Sequence, residues 1–99
     1  MKDNPMTPET VEQIMKEVAT ILLKKNADYG GASFDLGLNG NMVHLWDKIR
    51  RYRNLVEKEQ RAEDVNYESI EDTLRDIMGY ATIGLLILEN QAKKQIRHG

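Results

Sequence analysis

The sequence predicts an all-α fold of three main helices, spanning about residues 8–25, 42–59 and 67–95. Three separate stretches repeat their apolar residues every three or four positions, the period of a helix face. No run of β-branched and aromatic residues reads as a strand. With 99 residues, no cysteine and no internal repeat, the chain reads as a single domain, 1–99, without disulfides.

Residues 1–6 are expected to fray. Thr7-Pro8-Glu9 marks the first helix start: Thr7 can cap, Pro8 suits the first helical position, and Glu9 complements the dipole. Val11, Ile14, Met15, Val18, Ile21 and Leu22 then give one apolar stripe to about Lys25. The segment from Asn26 to Gly40 is rich in glycine and asparagine and predicts a loop. It also carries Tyr29, Phe34, Leu36 and Leu38, so it should be packed and can carry a site.

Asn41 is placed as the cap of helix two. Met42, Leu45, Trp46, Ile49 and Val56 form that helix's expected apolar face, and His44, Asp47, Lys48 and Arg51 share another. Arg50 and Arg53 read as solvated charges paired with Glu57, Glu59 and Glu63. Asn66 or Ser69 caps helix three, and Lys93, Lys94 and Arg97 complement its C-terminal dipole. Ile70, Leu74, Ile77, Met78, Ala81, Leu85 and Leu88 fall on one side of that helix, and Glu68, Glu71, Asp72, Arg75 and Asp76 on the other. The charged line continues through Gly79 onto Ile83, Leu86 and Ile87, so the second half is apolar nearly all round. Three helices cannot bury both of its sides, and the small residues Gly79, Ala81 and Gly84 would let a partner helix approach. A bundle completed by a homodimer or homotetramer is therefore expected.

The net charge of −2 argues against non-specific nucleic-acid binding. The absence of cysteine excludes a thiolate nucleophile or thiolate metal site. No secretory signal is visible, and Ile83–Leu88 is far shorter than the roughly 20 residues a bilayer span requires. The expectation is a cytoplasmic protein.

Glu68, Glu71 and Asp72 suit the first turn of a helix. Asp76 lies too deep for that, one turn after another acid, and needs a counter-charge. Arg75 beside it can supply part of one, and a divalent cation would supply more. Mg²⁺, or Mn²⁺, takes oxygen ligands and commonly shares them with substrate phosphates. Asp47 on helix two is the natural neighbouring carboxylate, and Lys48 and Arg51 can hold phosphate oxygens. His44, with one other histidine at the C-terminal tail, does not make a zinc site.

Three segments carry a family resemblance: Lys25-Asn-Ala-Asp-Tyr-Gly30, His44-Leu-Trp-Asp-Lys-Ile-Arg-Arg51, and Glu68-Ser-Ile-Glu-Asp-Thr-Leu-Arg-Asp-Ile-Met-Gly-Tyr-Ala81. Together they resemble the small phage and bacterial nucleotide modification associated domain family over roughly residues 10 to 90. That family is in turn similar to the MazG-like all-α nucleotide pyrophosphohydrolases, oligomers in which a helix pair supplies two acidic motifs for Mg²⁺. The resemblance implies Mg²⁺-dependent cleavage of a nucleoside triphosphate to monophosphate and pyrophosphate. Glu68, Glu71 or Asp72, and Asp76 match the second acidic motif. Helix two carries Asp47 and Lys48 where two glutamates would be expected. In this reading Asp47, Glu68, Asp72 and Asp76 hold the metal, Glu71 orients the attacking water, and Lys48 and Arg51 neutralise phosphate charge. Asn26, Asp28, Tyr29 and Phe34 close over base or sugar. The alternative is a non-catalytic helical adaptor whose acidic and basic faces are structural.

Overall fold

A computed structural model describes residues 4–61 and 66–98, with side chains as far as Lys94. The elements are α1 (Pro8–Tyr29), a 3-10 turn (Ala32–Phe34), α2 (Gly37–Gln60) and α3 (Tyr67–His98), with no strand among the described residues. The all-α class and the three helices agree with the sequence reading. Residues 1–3, the 62–65 part of the second connection with Glu63, and the Arg97 side chain lie outside the described part.

Thr7 caps α1 as expected, accepting from the Thr10 N–H at 3.2 Å, while the Thr10 hydroxyl accepts from the Thr7 N–H at 3.1 Å. The helix overruns Lys25 by one turn. It stops where Gly30 takes a left-handed conformation (φ 61°) and donates its N–H to the Asn26 carbonyl at 2.9 Å. Asn26, Asp28 and Tyr29 thus ride on the last turn of α1, not on a loop. The expected loop shrinks further because α2 begins at Gly37, five residues early. At α3, Asn66 is the cap, its Oδ1 accepting from the Ser69 N–H at 3.3 Å. Near the other end Lys93 pairs with Glu89 at 3.7 Å, and on α2 Arg53 pairs with Glu57 at 2.9 Å.

Asn41 is not a cap. It sits inside α2, 6% exposed, and its Nδ2 donates to the Tyr80 carbonyl of α3 at 2.7 Å. A Cβ on Gly84 would lie 2.7 Å from the Asn41 Oδ1, so the missing side chain there is what admits the amide. Together with a Lys48–Asp76 ion pair at 3.4 Å, this contact fixes α2 and α3 antiparallel. They form the most extensive helix pair in the molecule.

This docking turns both predicted apolar faces partly outward: Leu45 and Ile77 stay inward, and Val56, Ile70 and Met78 are half-buried. On α2, Asn41, Leu45, Lys48 and Tyr52 turn inward, while Met42, Trp46 and Ile49 are exposed. On α3 the inward line is Thr73, Ile77, Tyr80, Gly84 and Ile87, while Leu74, Leu85 and Leu88 are exposed. Each helix is rotated by roughly 80° from its most apolar stripe, judged at 3.6 residues per turn. The inward polar groups carry little penalty because they are satisfied. Thr73, 2% exposed, donates its hydroxyl to the Ser69 carbonyl at 2.7 Å. In an antiparallel pair, equal rotations bring both apolar stripes to the same side. α1 packs on the opposite side, where Leu22 lies over Gly79. Gly79 and Gly84 are therefore used by this chain's own helices and are not free for a partner.

Glycine 84 should be intolerant of a side chain and Gly79 tolerant. Gly84→Ala is expected to cost about 1–3 kcal/mol through overpacking, lowering the melting temperature by at least roughly 4 °C for a domain of this size. At Gly79 an added Cβ meets Leu22 at an ordinary 3.6 Å, so Gly79→Ala should hold or raise the melting temperature. Thermal denaturation followed by circular dichroism reads both.

Candidate functional site

Asp76 is the point where the three helices meet electrostatically. Its Oδ1 lies 3.1 Å from Lys25 Nζ on α1, and its Oδ2 lies 3.4 Å from Lys48 Nζ on α2. The carboxylate is a quarter exposed, so water screens these pairs only in part. The counter-charge that Asp76 needed is thus present as two ammonium groups. Next to it, the Arg75 guanidinium gathers Asp72 at 3.5 Å, Glu71 at 3.6 Å and Glu17 at 3.8 Å.

These residues stand between two adjoining clefts. The first, about 240 Å³, opens between α1, the 3-10 turn and α3. Its apolar floor includes Leu22, Ile83 and Leu86, and Tyr29, Phe34 and Tyr80 supply aromatic surface. Asn26, Lys25, Lys48, Arg75 and Asp76 are its polar lining. The Tyr80 ring is held flat against His44, centroids 4.8 Å apart and planes within 7°. The second cleft, about 410 Å³, is formed by Ile21, Lys25, Arg51, Asp72, Thr73, Arg75 and Asp76. Lys25, Lys48, Arg51 and Arg75 bring four cations to the two linings, balanced by Asp72 and Asp76 there and by Glu17 and Glu71 on Arg75. An anion would therefore enter by taking cations from carboxylates. The apolar and aromatic floor suits a planar, weakly polar body attached to it.

Of the residues chosen from the sequence, Asn26, Tyr29, Phe34, Lys48, Arg51, Asp72 and Asp76 converge on these two clefts. Asp28, Asp47, Glu68 and Glu71 do not; all four are exposed and line neither. Among the described residues no group of three histidines or carboxylates stands close enough to hold a metal. Asp47, Glu68, Asp72 and Asp76 are therefore not gathered as the first reading placed them. Asp47 and Lys48 are neighbours in sequence and so about 100° apart on the helix. Once Lys48 turns to Asp76, Asp47 must turn outward. Lys25 and Tyr80 were missed as site residues. Lys25 meets a partner 51 residues away, a contact no local spacing announces. Tyr80 could have been found four residues after Asp76, one turn along the same face.

A protein-family model described as nucleotide modification associated domain 1 matches residues 25–88. The matched segment runs from Lys25 through Asp76 and Tyr80, and so contains most of both cleft linings. No curated protein and no solved structure matches the chain.

Removing the charge at the hub tests its structural share. Asp76→Asn should cost roughly 1 kcal/mol at low salt, the upper range for partly exposed pairs. The loss should shrink in 1 M NaCl, where the screening length falls to about 3 Å. Melting temperatures of the two proteins at both salt concentrations check it.

Proposed function

The chain belongs to the nucleotide modification associated domain 1 family, and we propose that its paired clefts bind a nucleoside triphosphate. The carrying observation is the placement of Lys25, Lys48 and Arg75 on the rim of a cleft whose floor is apolar and aromatic. The base would lie against Tyr29, Phe34 or the Tyr80–His44 stack, and the phosphates would extend along the cationic rim toward Arg51 in the second cleft. Asn26, at the end of α1, can hydrogen-bond a base edge or sugar hydroxyl.

The reaction proposed with this reading is Mg²⁺-dependent hydrolysis between the α- and β-phosphates, giving nucleoside monophosphate and pyrophosphate. It rests on the MazG-like resemblance and on the chemistry of the donors. Two carboxylates, Asp72 and Asp76, face the second cleft, and Mg²⁺ commonly takes one or two from the protein when phosphates supply further oxygens. When bound, the ion polarises phosphate and acidifies water. The chain's own part is an exchange of partners. Phosphate oxygens take over Lys25 and Lys48, which neutralise charge there, and release the Asp76 carboxylate for a cation. Arg51 and Arg75 hold the outer phosphates. Glu71, one turn before Arg75 and exposed, would reach the water only by moving off its arginine. The cytoplasm, including that of a phage-infected host, is the compartment this substrate implies.

A second reading is favoured by one observation: both Asp76 oxygens already have lysine partners within the chain. The charges would then be structural and the protein a helical adaptor.

The two readings separate on incubation with natural and modified nucleoside triphosphates plus Mg²⁺ or Mn²⁺. Nucleotide binding predicts a rise in melting temperature through linkage, and hydrolysis predicts release of pyrophosphate in preference to phosphate. Lys48→Ala should weaken binding about tenfold, the loss of one charge-assisted contact worth roughly 1.4 kcal/mol. Asp76→Asn should abolish pyrophosphate release while leaving metal-free nucleotide binding intact or tighter, since it unburdens both lysines. No thermal response and no release with any triphosphate would leave the adaptor reading standing.

A further inference from the structure

We propose that His44 is a positioning residue that fixes the Tyr80 ring as the seat of the nucleobase. The nucleotide reading of the clefts is the premise. Within it, this assignment selects one platform among the three aromatic surfaces of the first cleft and sets the direction in which the nucleotide lies.

Tyr80 is held through both its backbone and its ring. Its carbonyl accepts from the Asn41 Nδ2 at 2.7 Å, which pins it to α2. Its ring lies flat on His44 of the same helix, with centroids 4.8 Å apart and planes within 7°, an offset stack. Tyr80 lines the first cleft and His44 does not. What the phenol ring turns toward the cleft is therefore the part the imidazole leaves uncovered, and His44 acts on a ligand only through Tyr80. No other ring pair is found among the described residues. Tyr29 is 67% exposed, on the last turn of α1 just before Gly30 and Gly31 with their positive φ, and Phe34 is exposed on the 3-10 turn. A ring already held in place loses little freedom when a base stacks on it, whereas an exposed ring must be ordered first.

The register of the antiparallel pair sets the direction. His44 opposite Tyr80 is followed, four residues on along α2 and four residues back along α3, by Lys48 opposite Asp76. At 1.5 Å per residue these two rungs are about 6 Å apart. Arg51, in the second cleft with Asp72, lies about 4.5 Å further in the same direction. A base on Tyr80 thus places the sugar over the first step, the nearer phosphates at Lys48 and the outer ones toward Arg51. On the other side of Tyr80 the cleft continues along α3 as Ile83 and Leu86. The reverse orientation would lay the phosphates on that apolar surface, where their charge has no partner.

Calorimetric titration without metal, comparing the tightest-binding natural nucleoside triphosphate with inorganic tripolyphosphate, tests the assignment. His44 is exposed, so its variants should fold. His44→Ala should weaken nucleotide binding roughly three- to tenfold, the loss of one aromatic pair, and leave tripolyphosphate binding unchanged. His44→Phe keeps a flat ring without an ionisable group and should restore the nucleotide affinity. Tyr80→Leu removes the platform itself and should weaken the nucleotide by about tenfold or more, again sparing tripolyphosphate. A His44→Ala protein that binds the nucleotide as tightly as the wild type would overturn the assignment. So would a loss shared equally by tripolyphosphate, or a His44→Phe protein that stays weak, since His44 would then act by charge or through the fold. A wild-type chain that binds no nucleotide at all would instead end the nucleotide reading, and this assignment with it.

Discussion

The Asn41 side chain against Gly84 is the constraint on which the arrangement of the rest depends. The amide is nearly inaccessible, hydrogen-bonded to the Tyr80 carbonyl, and occupies the space a Cβ at Gly84 would need. A buried amide with a full partner specifies a register more sharply than apolar contacts do, because any slip or rotation leaves it unpaired at a cost of roughly 1–3 kcal/mol. It therefore decides which line of α2 meets which line of α3. Everything around the pair then takes its side: the cationic rim and α1 on one, the apolar stripes on the other.

The Asp76 hub is a consequence of that register. Lys48 lies seven residues after Asn41, two helical turns, and Asp76 eight residues before Gly84, so the antiparallel pair brings them opposite each other. Lys25 then arrives from α1, and the carboxylate links three helices within 3.4 Å. This double ion pair is a structural clasp. The nucleotide proposal requires a phosphate chain to displace one carboxylate from two lysines.

Much of the fold was legible from local chemistry. The Thr7-Pro8 start, the left-handed stop at Gly30 and the Asn66 cap act within four residues of themselves, and three helices follow from 3.6-residue periodicity. The expected loop from Asn26 to Gly40 was too long because glycine content was read as breaking regular structure. Only Gly30, Gly31 and Gly37 use a positive φ, while Gly40 sits inside α2. In the candidate site, Lys48 and Arg51 were visible as residue types suited to phosphate, Tyr29 and Phe34 to a base, and Asp72 and Asp76 to a metal ion. Asp47 and Glu68 were chosen by the same logic, and the helix rotation turned them away.

The sequence by itself determined the elements, their caps, and a surplus of apolar surface too great for three helices to hide. The elements and caps depend on neighbours a turn or less away along the chain, so local order fixes them before any tertiary contact forms. Tertiary structure decided which face of each helix is inside. A single polar contact between residues 39 apart, and the absence of one methyl group at Gly84, outweighed the more apolar stripes. Apolar burial is non-directional and can be satisfied later, by another surface. A buried hydrogen bond is directional and must be satisfied where it stands.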